Sequence, residues 1–115
     1  MNEQKQQELV ITYLKLKHKN VRFCASAGGI RTSITQARKM KRAGYVKGMP
    51  DLQIMEARKG KHGLFIELKT EKGRLTKEQK NWLIDLNERN YLAKCCKGAS
   101  EAMDLIDWYL NEKSK

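Results

Sequence analysis

The run Leu64-Phe65-Ile66-Glu67-Leu68-Lys69 alternates. As a strand it points Leu64, Ile66 and Leu68 to one face and Phe65, Glu67 and Lys69 to the other. A carboxylate and an ammonium two residues apart then leave one face together. Alone, such a pair is ordinary on an exposed sheet. The run Gly48-Met49-Pro50-Asp51-Leu52 adds to it by placing the only proline of the chain at the mouth of a strand, where a missing N–H does no harm. Asp51 then holds the first strand position, with Gln53 and Met55 on its side and Leu52 and Ile54 opposite. Paired as a hairpin, the two strands bring Asp51 beside the Glu67 and Lys69 end. Carboxylates are hard oxygen donors suited to Mg²⁺ or Mn²⁺, and a lysine can orient a water or offset charge on a phosphate. Metal-assisted phosphodiester hydrolysis needs that set. Taken singly, Asp51 also fits a local turn after proline.

These side chains need elements to hold them. Apolar spacing predicts a helix over residues 2–17, with Leu9, Val10, Tyr13 and Leu14 in helical register. Residues 21–25 read as a strand ended by Gly28-Gly29, and residues 33–43 as a short basic helix stopped at Gly44. Residues 51–56 and 64–69 read as strands joined by the turn-rich segment 58–63. Residues 76–89 form a helix with Leu75, Trp82, Leu83 and Leu86 inward, residues 91–96 a last strand, and residues 100–110 a closing helix. Strands separated by helices imply an α/β fold, a small mixed sheet flanked by helices. At 115 residues and 13.3 kDa, with no repeat or linker, the expectation is one domain over 1–115.

Charge narrows the partners. Lys and Arg total 24 against 13 acids, a formal net charge of +11, which points to a polyanion such as nucleic acid. Between residues 28 and 50 stand six cations, Arg31, Arg38, Lys39, Lys41, Arg42 and Lys47, and no acid. A second group, Arg58, Lys59, Lys61, Lys72, Arg74, Lys77 and Lys80, surrounds the strand hairpin. Two one-signed stretches flanking one site read as a phosphate track. Aromatic residues are too few for a base-stacking platform, so backbone contact is expected over base readout. No apolar run approaches the ~18 residues of a membrane span, and residues 1–8 carry no secretory signal. Cys24, Cys95 and Cys96, odd in number and without Cys-x-x-Cys spacing, fit neither a disulfide framework nor zinc. The expected setting is intracellular and reducing, in the cytoplasm of a bacterium or a phage-infected cell. His18 and His62 are far apart, Ser26 and Ser33 lack a triad, and no Walker or dinucleotide pattern follows Gly28-Gly29, so no nucleotide cofactor is expected.

Pro50-Asp51 followed by Glu67-Leu68-Lys69 resembles the signature of the PD-(D/E)xK nuclease superfamily. Gly48-x-Pro50-Asp51-Leu52, Glu67-x-Lys69 and the downstream Gln79 are similar to its VRR-NUC branch, the virus-type replication–repair nucleases, over nearly the whole chain. The resemblance implies a restriction-endonuclease-like core and a stand-alone minimal copy of the domain. It implies that Asp51, Glu67 and the Leu68 carbonyl hold a divalent metal and that Lys69 positions the attacking water. It also places a glutamate of the first helix near the metal. Glu3 shares a helical stripe with Gln7, Val10 and Leu14, whereas Glu8 faces solvent. Glu3 equally reads as a first-turn acid favouring the helix dipole. Gln79 points to the catalytic centre in the family, while Thr76-Lys77-Glu78-Gln79 also matches a capping box. The expected activity is a Mg²⁺- or Mn²⁺-dependent DNA endonuclease, structure-selective by family analogy for four-way (Holliday) junctions or other branched DNA. The alternative is a DNA-binding module of the same fold with little or no catalysis. A homodimer is expected, its seam drawn from Ile30, Ile34, Met40, Tyr45 and Val46.

Overall fold

Helix starts follow the side chains able to take an orphan backbone N–H. In the computed structural model, which describes residues 1–26 and 33–111, Asn2 caps α1 (Glu3–Lys17) by accepting from the Lys5 N–H. Ser33 does the same for α2 (Ile34–Arg42) and Thr76 for α3 (Lys77–Glu88). The fourth helix, α4 (Ala99–Leu110), follows Gly98 and has no side-chain cap of its own. Gln6 of α1 supplies one from a distance: its Oε1 accepts the Ala99 N–H at 2.6 Å. This contact ties the N-terminal turns of α1 and α4 together.

The strands β1 (Phe23–Ala25), β2 (Leu52–Ile54), β3 (Leu64–Lys69) and β4 (Leu92–Lys97) form one sheet in the order β1-β2-β3-β4. β1 and β2 pair antiparallel, as do β2 and β3, while β3 and β4 run parallel across the α3 crossover. The mixed sheet flanked by helices is the expected α/β class. Several boundaries differ from expectation. β1 is shorter than residues 21–25, and Gly28-Gly29 lies outside the described residues. β2 loses both ends of the expected 51–56, so Asp51 stands before the strand. β4 shifts by one residue at both ends, and α4 starts one residue earlier.

All six residues of β3 are buried, because helices cover both of its faces. Leu64, Ile66 and Leu68 join Leu52, Ile54 and Cys96 in a core closed by Val10 and Leu14 of α1 and by Ala99, Ala102, Ile106 and Tyr109 of α4. On the other face Phe65 and Ala93 pack with Leu86, Trp82 and Leu83 of α3. Leu9, one of the residues whose spacing marked the helix, is 46% exposed. The histidines have structural duties. His18 Nε2 lies 2.9 Å from Asp107 Oδ1, and Tyr13 and Lys17 bond the other oxygen, clamping the end of α1 to α4. His62 stands edge-on to the Tyr91 ring. Burial pushes the Cys96 thiol up to about 12, in keeping with a cysteine used as packing. Among the described residues, no helix is long and apolar enough to cross a membrane.

Candidate active site

β3 runs further than its partner. Register pairs Leu52 with Ile66, so no β2 residue of the ladder stands opposite Leu68. The Leu68 N–H turns to that edge, and Asp51 Oδ2 takes it at 2.8 Å. A carboxylate thereby substitutes for the missing strand partner and is fixed at the end of β3. Within a strand the N–H and C=O of one residue leave the same edge, so the Leu68 carbonyl faces the Asp51 side as well. The Asp51 backbone is held in turn, its carbonyl accepting the Ser26 N–H at 2.8 Å.

The approach to Asp51 depends on Gly48. Its φ is +96°, and a Cβ there would lie 2.8 Å from the backbone C and the Cβ of Glu78. Glycine therefore lets the chain cross α3 in a conformation that other residues adopt with strain. The neighbouring Lys47 carbonyl accepts the Trp82 Nε1–H at 3.0 Å, and Pro50 is buried. We expect Gly48→Ala to lose about 2 kcal/mol or more, since backbone strain adds to overpacking against helix backbone. Urea denaturation measures it, and a stability equal to wild type would contradict the proposed role.

Glu67 projects from β3 toward α3 and is 2% exposed. Its Oε2 accepts from Gln79 Nε2 at 3.2 Å and lies 3.8 Å from Lys69 Nζ. Its Oε1 is buried and, with the carboxyl ionised, accepts no hydrogen bond from the described residues. Burial, and next the charge of Asp51, push the Glu67 carboxyl up to about 8, against the opposing pull of the Lys69 ammonium. The two readings of Gln79 are compatible, because one amide performs both. Its Oε1 accepts the Thr76 N–H at 2.9 Å and completes the capping box, while its Nε2–H reaches Glu67. Lys69, 9% exposed, also faces Glu3, with Oε2 at 4.0 Å from Nζ. Glu3 is a rim group; its side chain is 46% exposed.

Two further groups support Lys69 and have no signal in the sequence. Gly73 brings the loop after β3 against the Lys69 stem, since a Cβ there would meet Lys69 carbons at 3.4 Å. Lys97, opposite Lys69 in the parallel register, donates from Nζ to the Gly73 carbonyl. Cys95 stands opposite Glu67 in the same register and is half-buried.

The polar atoms at the end of β3 suit a hard cation. Among the described residues, no three His, Cys, Asp or Glu side chains are grouped to hold a metal. The available donors are two carboxylates and a carbonyl, a sparse set of the kind that leaves Mg²⁺ most of its waters. The unpartnered Glu67 Oε1 and the adjacent Asp51 charge are what such an ion would satisfy.

The basic residues divide. Arg38, Lys39, Lys41 and Arg42 are exposed along α2, and Lys47 is exposed after it. Lys72 and Arg74 are exposed in the loop that leaves Lys69. Arg31 lies outside the described residues. The second basic group does not flank the site as a unit. Arg58, Lys59 and Lys61 belong to the β2–β3 connection, at the opposite end of β3 from Lys69. Arg58 pairs there with Glu56 at 3.1 Å, and Lys59 stands over the Trp108 ring. Of the expected dimer seam, Met40 and Tyr45 are half-buried and Ile34 and Val46 exposed, while Ile30 lies outside the described residues.

The chain matches the family model of the VRR-NUC domain over residues 2–100. A solved structure titled "VRR_NUC domain protein" is similar at 29% identity, with a TM-score of 0.83, covering 96% of this chain and 88% of that one. No curated protein matches the chain significantly.

Proposed function

The chain belongs to the VRR-NUC domain family, and on that premise we propose that it is a Mg²⁺- or Mn²⁺-dependent DNA endonuclease acting on branched DNA. The observation that carries this reading is the buried Glu67, with one oxygen unpartnered, set beside Asp51 and held by Gln79. Burying an ionised carboxyl in that state is unfavourable, so the group would hold either a proton or a cation there. Asp51, Glu67 and the Leu68 carbonyl would hold the cation, with Glu3 adding a carboxylate at the rim. When bound, the cation would act as a Lewis acid, making water more acidic and offsetting charge on the phosphoryl oxygens.

The remaining work belongs to the chain. Lys69, stiffened by the Gly73 loop, orients a water with its ammonium and stabilises negative charge as the phosphorus is attacked. Gln79 fixes the Glu67 rotamer from a helix N-terminus, so the carboxylate keeps its place at little entropic cost. Lys72 and Arg74 leave the same loop as Lys69 and are placed to take phosphates beside the scissile one, and the cations of α2 with Lys47 extend the track. A binding module without catalysis has no need for the acid pair, the lysine and their supports together.

A four-way junction presents two strands related by an approximate two-fold axis, and one chain carries one such centre. A homodimer would match the two, and we include it in the proposal. The function is tested by incubating labelled four-way junction, flap, single-stranded and plain duplex DNA with the protein and Mg²⁺. The branched substrates should be cut first; preferential cutting of plain duplex would contradict branch selectivity while leaving the nuclease reading in place.

A further inference from the structure

α2 buries none of its residues, and only Met40 is half-buried. Helical spacing places Ile34, Arg38 and Lys41, at i, i+4 and i+7, along one stripe, and all three are exposed. Ile34 is 73% exposed, at the head of that stripe. The apolar residue therefore stands on the cationic side of the helix, away from the side that Met40 turns to the body. A helix that used Ile34 to pack on its own chain would show the reverse arrangement.

Charge decides what meets this face. From Ser33 to Pro50 there are five cations and no acid. An isologous contact between two copies of α2 would set like charges against one another with no acid of the segment to offset them. A polyanion has the complementary charge, and nucleic acid also offers apolar surface wherever bases are unstacked. From Ile34 to Lys41 the helix rises about 10 Å, at about 1.5 Å per residue. That spans about three nucleotides of one strand at about 3.4 Å each. Apolar side chains flanked by cations enter DNA at steps where stacking is opened. Such entry is least costly where stacking is already broken.

We propose that Ile34 is a wedge that α2 inserts at the unstacked step of a DNA branch, with Arg38 and Lys41 on the neighbouring phosphates. The inference rests on the branched-DNA reading above and assigns the residue that selects the branch. Its test uses a four-way junction and a linear duplex carrying 2-aminopurine, at the branch or at mid-duplex, titrated in chelator to prevent cutting. Wild type should raise the fluorescence of the junction and not of the duplex. Ile34→Ala should abolish the rise and lower the junction-over-duplex affinity ratio by about tenfold, while Ile34→Leu keeps both. At 73% exposure neither change threatens the fold. An unchanged rise with Ile34→Ala, or no rise from bound wild type, overturns the wedge. So does an Ile34→Ala effect confined to the mass measured by light scattering, which would make the stripe a contact between copies. If wild type cuts junctions without the rise, the wedge alone falls; if it binds no DNA, the nuclease reading falls with it.

Discussion

Asp51→Asn and Lys69→Ala should both reduce cleavage by about 10³-fold, yet for separable reasons. Asparagine keeps an oxygen that can accept the Leu68 N–H, so the 2.8 Å bond that stands in for the absent strand partner survives. What is lost is the charge. Asp51→Asn should therefore fold as wild type does and bind Mg²⁺ far more weakly, and excess metal should partly restore the rate. Lys69→Ala removes a buried ammonium 3.8 Å from Glu67 and leaves the carboxylates in place. It should retain metal binding and lose rate at every metal concentration. Calorimetric Mg²⁺ titration beside single-turnover cleavage separates the two. Loss of metal binding in Lys69→Ala with full metal binding in Asp51→Asn would invert the assigned roles.

The second large effect is on stability. Glu67 is raised from 4.5 to about 8 in the folded protein, chiefly by burial and then by Asp51. Between those values the native state holds a proton that the unfolded chain has released. Raising the pH through this window therefore favours unfolding, and below it the group contributes no pH dependence. The metal-free protein should lose stability from about pH 5 to about pH 8 through this residue. A divalent cation held there would take the place of the proton, so Mg²⁺ should bind more tightly as pH rises. A fixed Mg²⁺ concentration that is a hundredfold excess over Kd at neutral pH should stabilise by about 2.7 kcal/mol there, and by more at the alkaline end, where Kd is lower. Glu67→Gln, which is neutral throughout, should flatten both trends. Thermal melts with and without Mg²⁺ across this range measure it. A metal-free protein that gains stability up to pH 8, with Glu67→Gln showing the same slope, would contradict the assignment.

The site was legible where its chemistry lies in short spacing. Glu67-x-Lys69 needs only the alternation of one strand to share a face, and Gly48-x-Pro50-Asp51 carries its own backbone demands. Gln79 was legible as a cap and as a group aimed at the candidate site, and the folded amide both caps α3 and reaches Glu67. Boundaries were less legible because pairing sets them: β2 ends where its register with β3 ends, and Asp51 falls outside the strand for that reason. The supports Gln6 and Lys97 act across 93 and 24 positions of sequence, on the Ala99 N–H and the Gly73 carbonyl. No local pattern marks such contacts. The hairpin cations misled for the opposite reason: they are close in sequence to Lys72 and Arg74, but a strand of six residues carries the two groups to opposite ends of the sheet.

On the proposed reading, the buried acid pair at the end of β3 makes this chain a metal-dependent nuclease. The most direct test of that reading is the time course of cutting of a labelled four-way junction by wild type and by Glu67→Gln, each purified identically, in Mg²⁺ and in chelator. Glutamine at this position keeps an acceptor for Gln79 Nε2 and removes only the carboxylate charge. Cutting should occur with wild type in Mg²⁺ and in none of the other three reactions. Equal cutting by Glu67→Gln in Mg²⁺, or by wild type in chelator, would contradict the account.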